Sequence, residues 1–114
     1  GKTHLSKILE KKINKVKVVE AKFVDDNIVE KLDNLDCLII DNYQNNINEK
    51  TFYSILNQSR QTENYIVINS LSPITEFKFD LNDLTSRVNS FVFIVSIYIY
   101  LASNYRTIPI FLYL

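Results

Sequence analysis

The chain has 114 residues, of which 46% are hydrophobic, and its 13 basic residues are matched by 13 acidic ones. That is the size and apolar content of one compact domain, and a balanced charge gives no support for a nucleic-acid or membrane-surface partner. The lone cysteine, Cys37, excludes an internal disulfide and fits a reducing, cytoplasmic interior.

No signal-peptide pattern opens the chain. Because it contains no methionine, the sequence reads as an internal or trimmed piece of a longer product. The abundance of Asn, Ile, Lys and Tyr beside a single glycine reflects codon bias rather than function. Acidic residues stop at Asp83, and from Phe91 onward Arg106 is the only charge, so the two ends differ in character.

In chain order, "GKTHLSKILEKK" predicts an amphipathic helix with Leu5, Ile8, Leu9 and Ile13 on one stripe. The β-branched run "VKVVEAKFV" predicts a strand from Val16. "DDNIVEKLDNL" predicts a short helix capped by Asp25 or Asp26. "DCLIIDN" is a continuous apolar run ending at Asp41, as expected of a strand buried on both faces. A polar loop then leads to "NEKTFYSILNQSRQT", a helix whose stripe is Phe52, Tyr53, Ile55 and Leu56. "YIVINS" is a further buried strand, closed by the turn residues of "SLSP", and "LNDLTSRVNS" is helix-like. This alternation is that of an α/β domain with a parallel sheet and helices on both faces.

The tail "FVFIVSIYIYLA", "SNYRT", "IPIFLYL" is apolar, but its longest run falls short of the roughly 20 residues that cross a bilayer. A buried strand, or sequence no longer faithful to the fold, is the expectation for residues 91–114. An exposed tail of this kind would favour aggregation or a partner.

Four elements carry candidate chemistry. Gly1, Lys2 and Thr3 form the second half of a phosphate-gripping motif: amides at a helix start hold phosphate oxygens, the ammonium adds charge, and the hydroxyl ligates Mg²⁺. Asp41 ends a buried strand, where ligands of open α/β sheets gather, and a carboxylate there suits the Mg²⁺ shell. Asn69 and Ser70 end the next strand and are placed to orient water near a terminal phosphate, although both are also ordinary turn residues. Arg87 is a candidate for stabilising phosphate charge across a subunit boundary.

In this order and wording, "GKTHL", "DCLIIDN", "TFYSILNQSRQTENYIVINSLSP" and "LNDLTSRVNS" resemble the P-loop AAA+ ATPase domain of the bacterial replication initiator DnaA and its short regulatory relative Hda. The resemblance covers residues 1–90. It implies an ATP or ADP site with Mg²⁺ in which Gly1, Lys2 and Thr3 close the phosphate loop and Asp41 directs the metal. Asn69 and Ser70 then occupy the sensor-strand end, and Arg87 is offered to a neighbouring subunit of a homo-oligomer. It further implies a role in regulating replication initiation through contacts with the initiator DnaA or the sliding clamp.

Three departures qualify what is carried over. Asn42 stands where the family usually has a second acidic residue, and an amide cannot act as general base, so hydrolysis is expected to be slow or absent. The strand and glycines before "GKT" are missing, as is the helical lid. Without that first strand, central in the family's sheet, neighbouring strands are expected to expose unpaired edges and to leave residues 1–114 alone weakly stable. These departures also motivate a second reading, a non-catalytic remnant that serves only as an interaction module or has no function. An unrelated small-molecule kinase fits less well, because few arginines are present. Lys7, Lys11, Lys12, Lys15 and Lys17 suit a solvated helix face, and no helix-turn-helix follows, which argues against direct DNA binding.

Overall fold

The computed structural model describes residues 14–101 and 104–113. The expected first helix, with Gly1, Lys2 and Thr3, lies outside the described residues. Five strands form one sheet in the order β1-β2-β3-β5-β4, with β1 Val16–Glu20, β2 Cys37–Asp41, β3 Tyr65–Asn69, β4 Val92–Leu101 and β5 Asn104–Tyr113. β1, β2 and β3 are parallel, and the helices α1 (Asp26–Lys31), α2 (Glu49–Thr62) and α3 (Asn82–Val88) follow β1, β2 and β3 in turn. The small α/β domain read from the sequence is therefore present.

Local chemistry explains these boundaries. Asp25, not Asp26, caps α1 by accepting from the Asn27 amide at 3.0 Å, and Asp26 instead accepts from the Thr51 hydroxyl of α2 at 2.6 Å. Asn48 caps α2 through the amides of Lys50 and Thr51. That helix stops at Glu63, which takes the left-handed conformation (φ 57°) that closes many helices. Asn64 follows, buried, and its amide nitrogen donates to the carbonyls of Leu32 and Leu35, which ties the turn after α1 to the start of β3.

Two right-handed crossovers stepping in the same direction along a sheet leave their helices on the same face. That face holds the core. Leu38, Ile40, Ile66 and Ile68 from the strands pack with Ile28, Phe52, Ile55, Leu56, Leu84 and Val88 from the three helices. Tyr43 adds edge-to-face contacts with Phe52 and Phe77, at 5.4 and 5.2 Å between ring centres, so the loop after β2 is anchored to the same core.

The other face is different. Parallel register aligns Val16 with Cys37 and Tyr65, and Val18 with Ile39 and Val67, so these six side chains share it. Val16 and Val18 are 47% and 63% exposed, and Ile39 and Val67 are only partly covered. The described helices thus cover one face, where helices on both were expected.

A further departure concerns the tail. It forms two long strands rather than one, and β5 runs antiparallel along β3, with Ile66 opposite Tyr113 and Asn69 opposite Ile110. β3 is therefore hydrogen-bonded on both sides, and the sheet is mixed rather than purely parallel. Phe111 and Tyr113 join the core cluster, which gives the tail a structural role in the fold. Among the described residues no helix is long and apolar enough to cross a membrane.

The core also carries a pH dependence. Burial, and secondarily the charge of Glu49, push the Tyr43 phenol well above its ordinary value near 10. The unfolded chain would lose this proton near pH 10 while the folded chain keeps it. The stability that neutral Tyr43 contributes is complete below about pH 10 and falls as pH rises toward the folded value. Urea unfolding midpoints are expected to drop between pH 10 and 11, and to drop less in Tyr43→Phe; equal losses in both would remove Tyr43 as the cause.

Candidate functional site at the carboxyl end of the parallel strands

β2 and β3 end side by side, and their last residues face one another. The Asn69 amide nitrogen donates to Asp41 Oδ1 at 2.8 Å, in a half-buried pair that links two candidates separated by 28 positions in the chain. Both lie on the sheet face away from the helical core. The contact fixes one carboxylate oxygen and leaves Oδ2 unused by it. A magnesium ion takes one or two carboxylates and completes its octahedron with water and phosphate oxygens, so a single oriented carboxylate fits that demand. Glu20, which ends β1, is the register partner of Asp41 and brings a second carboxylate to this end of the sheet. Its side chain is exposed and pairs with Lys22 at 3.4 Å. Sequence reasoning did not single out Glu20, since its alignment with Asp41 depends on the register between strands.

Immediately after Asp41 the backbone turns. Asn42 adopts φ 57°, a left-handed conformation that asparagine tolerates better than most residues, and its Oδ1 accepts from Gln44 Nε2 at 3.3 Å. The Asn69 carbonyl accepts from the Tyr43 amide at 3.0 Å, which closes the loop against β3. The side-chain amide of Asn42 is thus part of the turn geometry.

Ser70 is placed differently from its neighbour. Its side chain is 1% exposed, and its hydroxyl donates to the Ser72 carbonyl at 2.8 Å, closing the turn after β3. Arg87 stands apart from Asp41 and Asn69. Its guanidinium donates to the Tyr113 hydroxyl at 3.3 Å and to Asn57 Oδ1 at 3.2 Å, and lies 5.6 Å from the centre of the Tyr53 ring. The bond to Tyr113 leads the causes that raise its pKa above the usual arginine value, partial burial opposes it, and Tyr53 adds to it. Arg87 is therefore charged at every working pH.

Among the described residues no three His, Cys, Asp or Glu side chains form a metal-holding group. A cation here would depend on Asp41 and on oxygens from its ligand. An open groove of about 360 Å³ between the helices is lined by Asp26, Val29, Glu30, Lys50 and Ser54, and includes none of the candidate site residues. No protein-family model matches the chain, and no curated protein matches it.

Proposed function

We propose that the chain is an ATP- or ADP-binding module of the DnaA/Hda-like AAA+ type, with weak or no hydrolysis, that regulates replication initiation through protein contacts. The observation that carries the reading is the Asp41–Asn69 pair at the carboxyl ends of adjacent parallel strands, where α/β sheets gather ligands. A second feature supports it: Gly1, Lys2 and Thr3, Asp41, Asn69 and Ser70, and Arg87 follow one another in the order that the resemblance implies.

In this reading Lys2 and the helix-start amides hold phosphate, and Thr3 and Asp41 serve Mg²⁺. Asn69 and Ser70 form the sensor end, with Asn69 orienting Asp41, and Arg87 serves a neighbouring copy. Partners would be the initiator DnaA and the sliding clamp. The second reading, an interaction module without a working site, is favoured by one observation: β5 fills the edge of β3, where the resemblance would leave room for a further strand. Titration of a fluorescent ATP analogue into the full chain, with and without Mg²⁺, tests the choice. Saturable binding tightened by Mg²⁺ is expected; no binding at millimolar analogue would leave only the second reading.

A further inference from the structure

α3 begins without a cap of its own. Leu81, an apolar residue with no side-chain acceptor, stands before its first turn, and the helix has only 7 residues. A helix this short does not persist on its own backbone bonds. In a capping box, a glutamate at the third helical position reaches back to the amide that precedes the first turn. That position here is Leu84, fully buried in the core, so α3 cannot make the contact itself.

Glu49, the first residue of α2, makes it from 32 positions away. Its Oε1 accepts from the Leu81 amide at 2.9 Å, and its Oε2 accepts from the Asp80 amide at 3.1 Å. Both oxygens of one carboxylate thus hold the start of α3, and a charged acceptor binds an amide more strongly than a neutral one. The far end of α3 is tethered to the same helix, where Arg87 donates to Asn57 Oδ1 and lies over the Tyr53 ring.

The segment leading into α3 adds little support. Residues 71–81 are mostly exposed, with Ile74 fully buried and Phe77 and Phe79 partly so. Few buried apolar contacts and an exposed backbone mark a segment that opens before the rest of a domain. Beyond its tethers, α3 is held to the core by Leu84 and Val88.

We propose that Glu49 is a latch: its carboxylate keeps α3 closed on the core, and without that charge residues 71–88 open as a unit while α2 and the parallel strands stay folded. Seven helical residues rise about 10 Å, so the latch acts at the end of α3 remote from Arg87. Opening draws Arg87 away from Tyr113 and Asn57 and uncovers Leu84 and Val88. The latch stands whether or not the chain binds ATP.

The test is amide hydrogen exchange of the full chain, followed residue by residue by NMR, in Glu49→Gln and Asp83→Asn. Glu49→Gln keeps the size of the side chain but removes its charge and turns one acceptor into a donor. The Thr85 and Asn89 amides, bonded to the Leu81 and Thr85 carbonyls, are expected to exchange about tenfold faster or more. Amides in β2 and the middle of α2 should stay within about threefold of the parent chain. Asp83→Asn removes a carboxylate from the first turn of α3 itself and controls for charge at a helix start. It should accelerate the same amides less than Glu49→Gln does. Equal acceleration throughout the domain would make Glu49 an ordinary contributor to stability and overturn the latch. Unchanged exchange in α3, or an equally large effect of Asp83→Asn, would overturn it as well.

Discussion

Phe52→Ala is expected to destabilise the fold by about 3–5 kcal/mol, enough to remove roughly a fifth or more of the stability of a typical domain. Phe52 is fully buried on α2 and contacts the rings of Tyr43 and Phe79, at 5.4 and 6.2 Å between centres. It therefore joins the helix, the loop after β2 and the segment before α3. Truncation removes transfer energy and leaves a cavity between three separate chain segments, none of which can move in without breaking other contacts. Because the Tyr43 loop also carries the turn at Asn42, beside Asp41, the loss should reach the candidate site. Chemical denaturation is the measurement, with Phe52→Leu as the milder comparison. A loss below about 1 kcal/mol in the alanine variant would mean that the loop is not packed against α2 as described.

Much of this architecture is legible locally. "CLIID" and "YIVIN" announce buried strands because parallel strands in the middle of a sheet have little contact with water, and Phe52, Ile55 and Leu56 recur at the helical period. The tail is harder to read. Its apolar run is compatible with a strand, but the antiparallel pairing with β3 joins positions more than forty residues apart, as Ile66 and Tyr113 do, and no local pattern encodes that register. The same reason hides the Arg87–Tyr113 contact and the alignment of Glu20 with Asp41. Asn64 draws no notice between a helix and a strand in the sequence, yet it carries the bridge to Leu32 and Leu35. Polar residues whose partners are distant in the chain look ordinary until those partners are known.

At the candidate site, the sequence offers residue types in an order, and the structure adds which of those residues meet. Asp41 and Asn69 were singled out separately, each as a strand end; their 2.8 Å hydrogen bond follows from adjacent strands ending at the same level. Ser70 directs its hydroxyl into its own turn. Arg87 lies with aromatic residues of α2 and β5. A sequence presents these four as one ordered set, whereas the fold sorts them to two ends of the sheet.

That separation makes the sharpest functional prediction a pair. In the nucleotide reading, Lys2→Ala removes a charge-assisted contact to phosphate and is expected to weaken ATP-analogue binding by about ten- to a hundredfold, with Mg²⁺ or without it. Asp41→Ala is expected to behave differently. Metal-free binding should stay near that of the parent chain, while the tightening produced by Mg²⁺ should disappear, because the carboxylate acts on the cation and not on the phosphate. Its structural cost is about 1 kcal/mol, from the Asn69 amide left without its acceptor. The two variants thus separate the phosphate contact from the metal contact, and thermal melts separate both from simple unfolding. Parent-like affinity in Lys2→Ala would show that Gly1-Lys2-Thr3 is no phosphate loop. An unchanged Mg²⁺ effect in Asp41→Ala would reduce Asp41 to a hydrogen-bond acceptor that holds β2 to β3, and would leave the contact surfaces of the module as the remaining source of function.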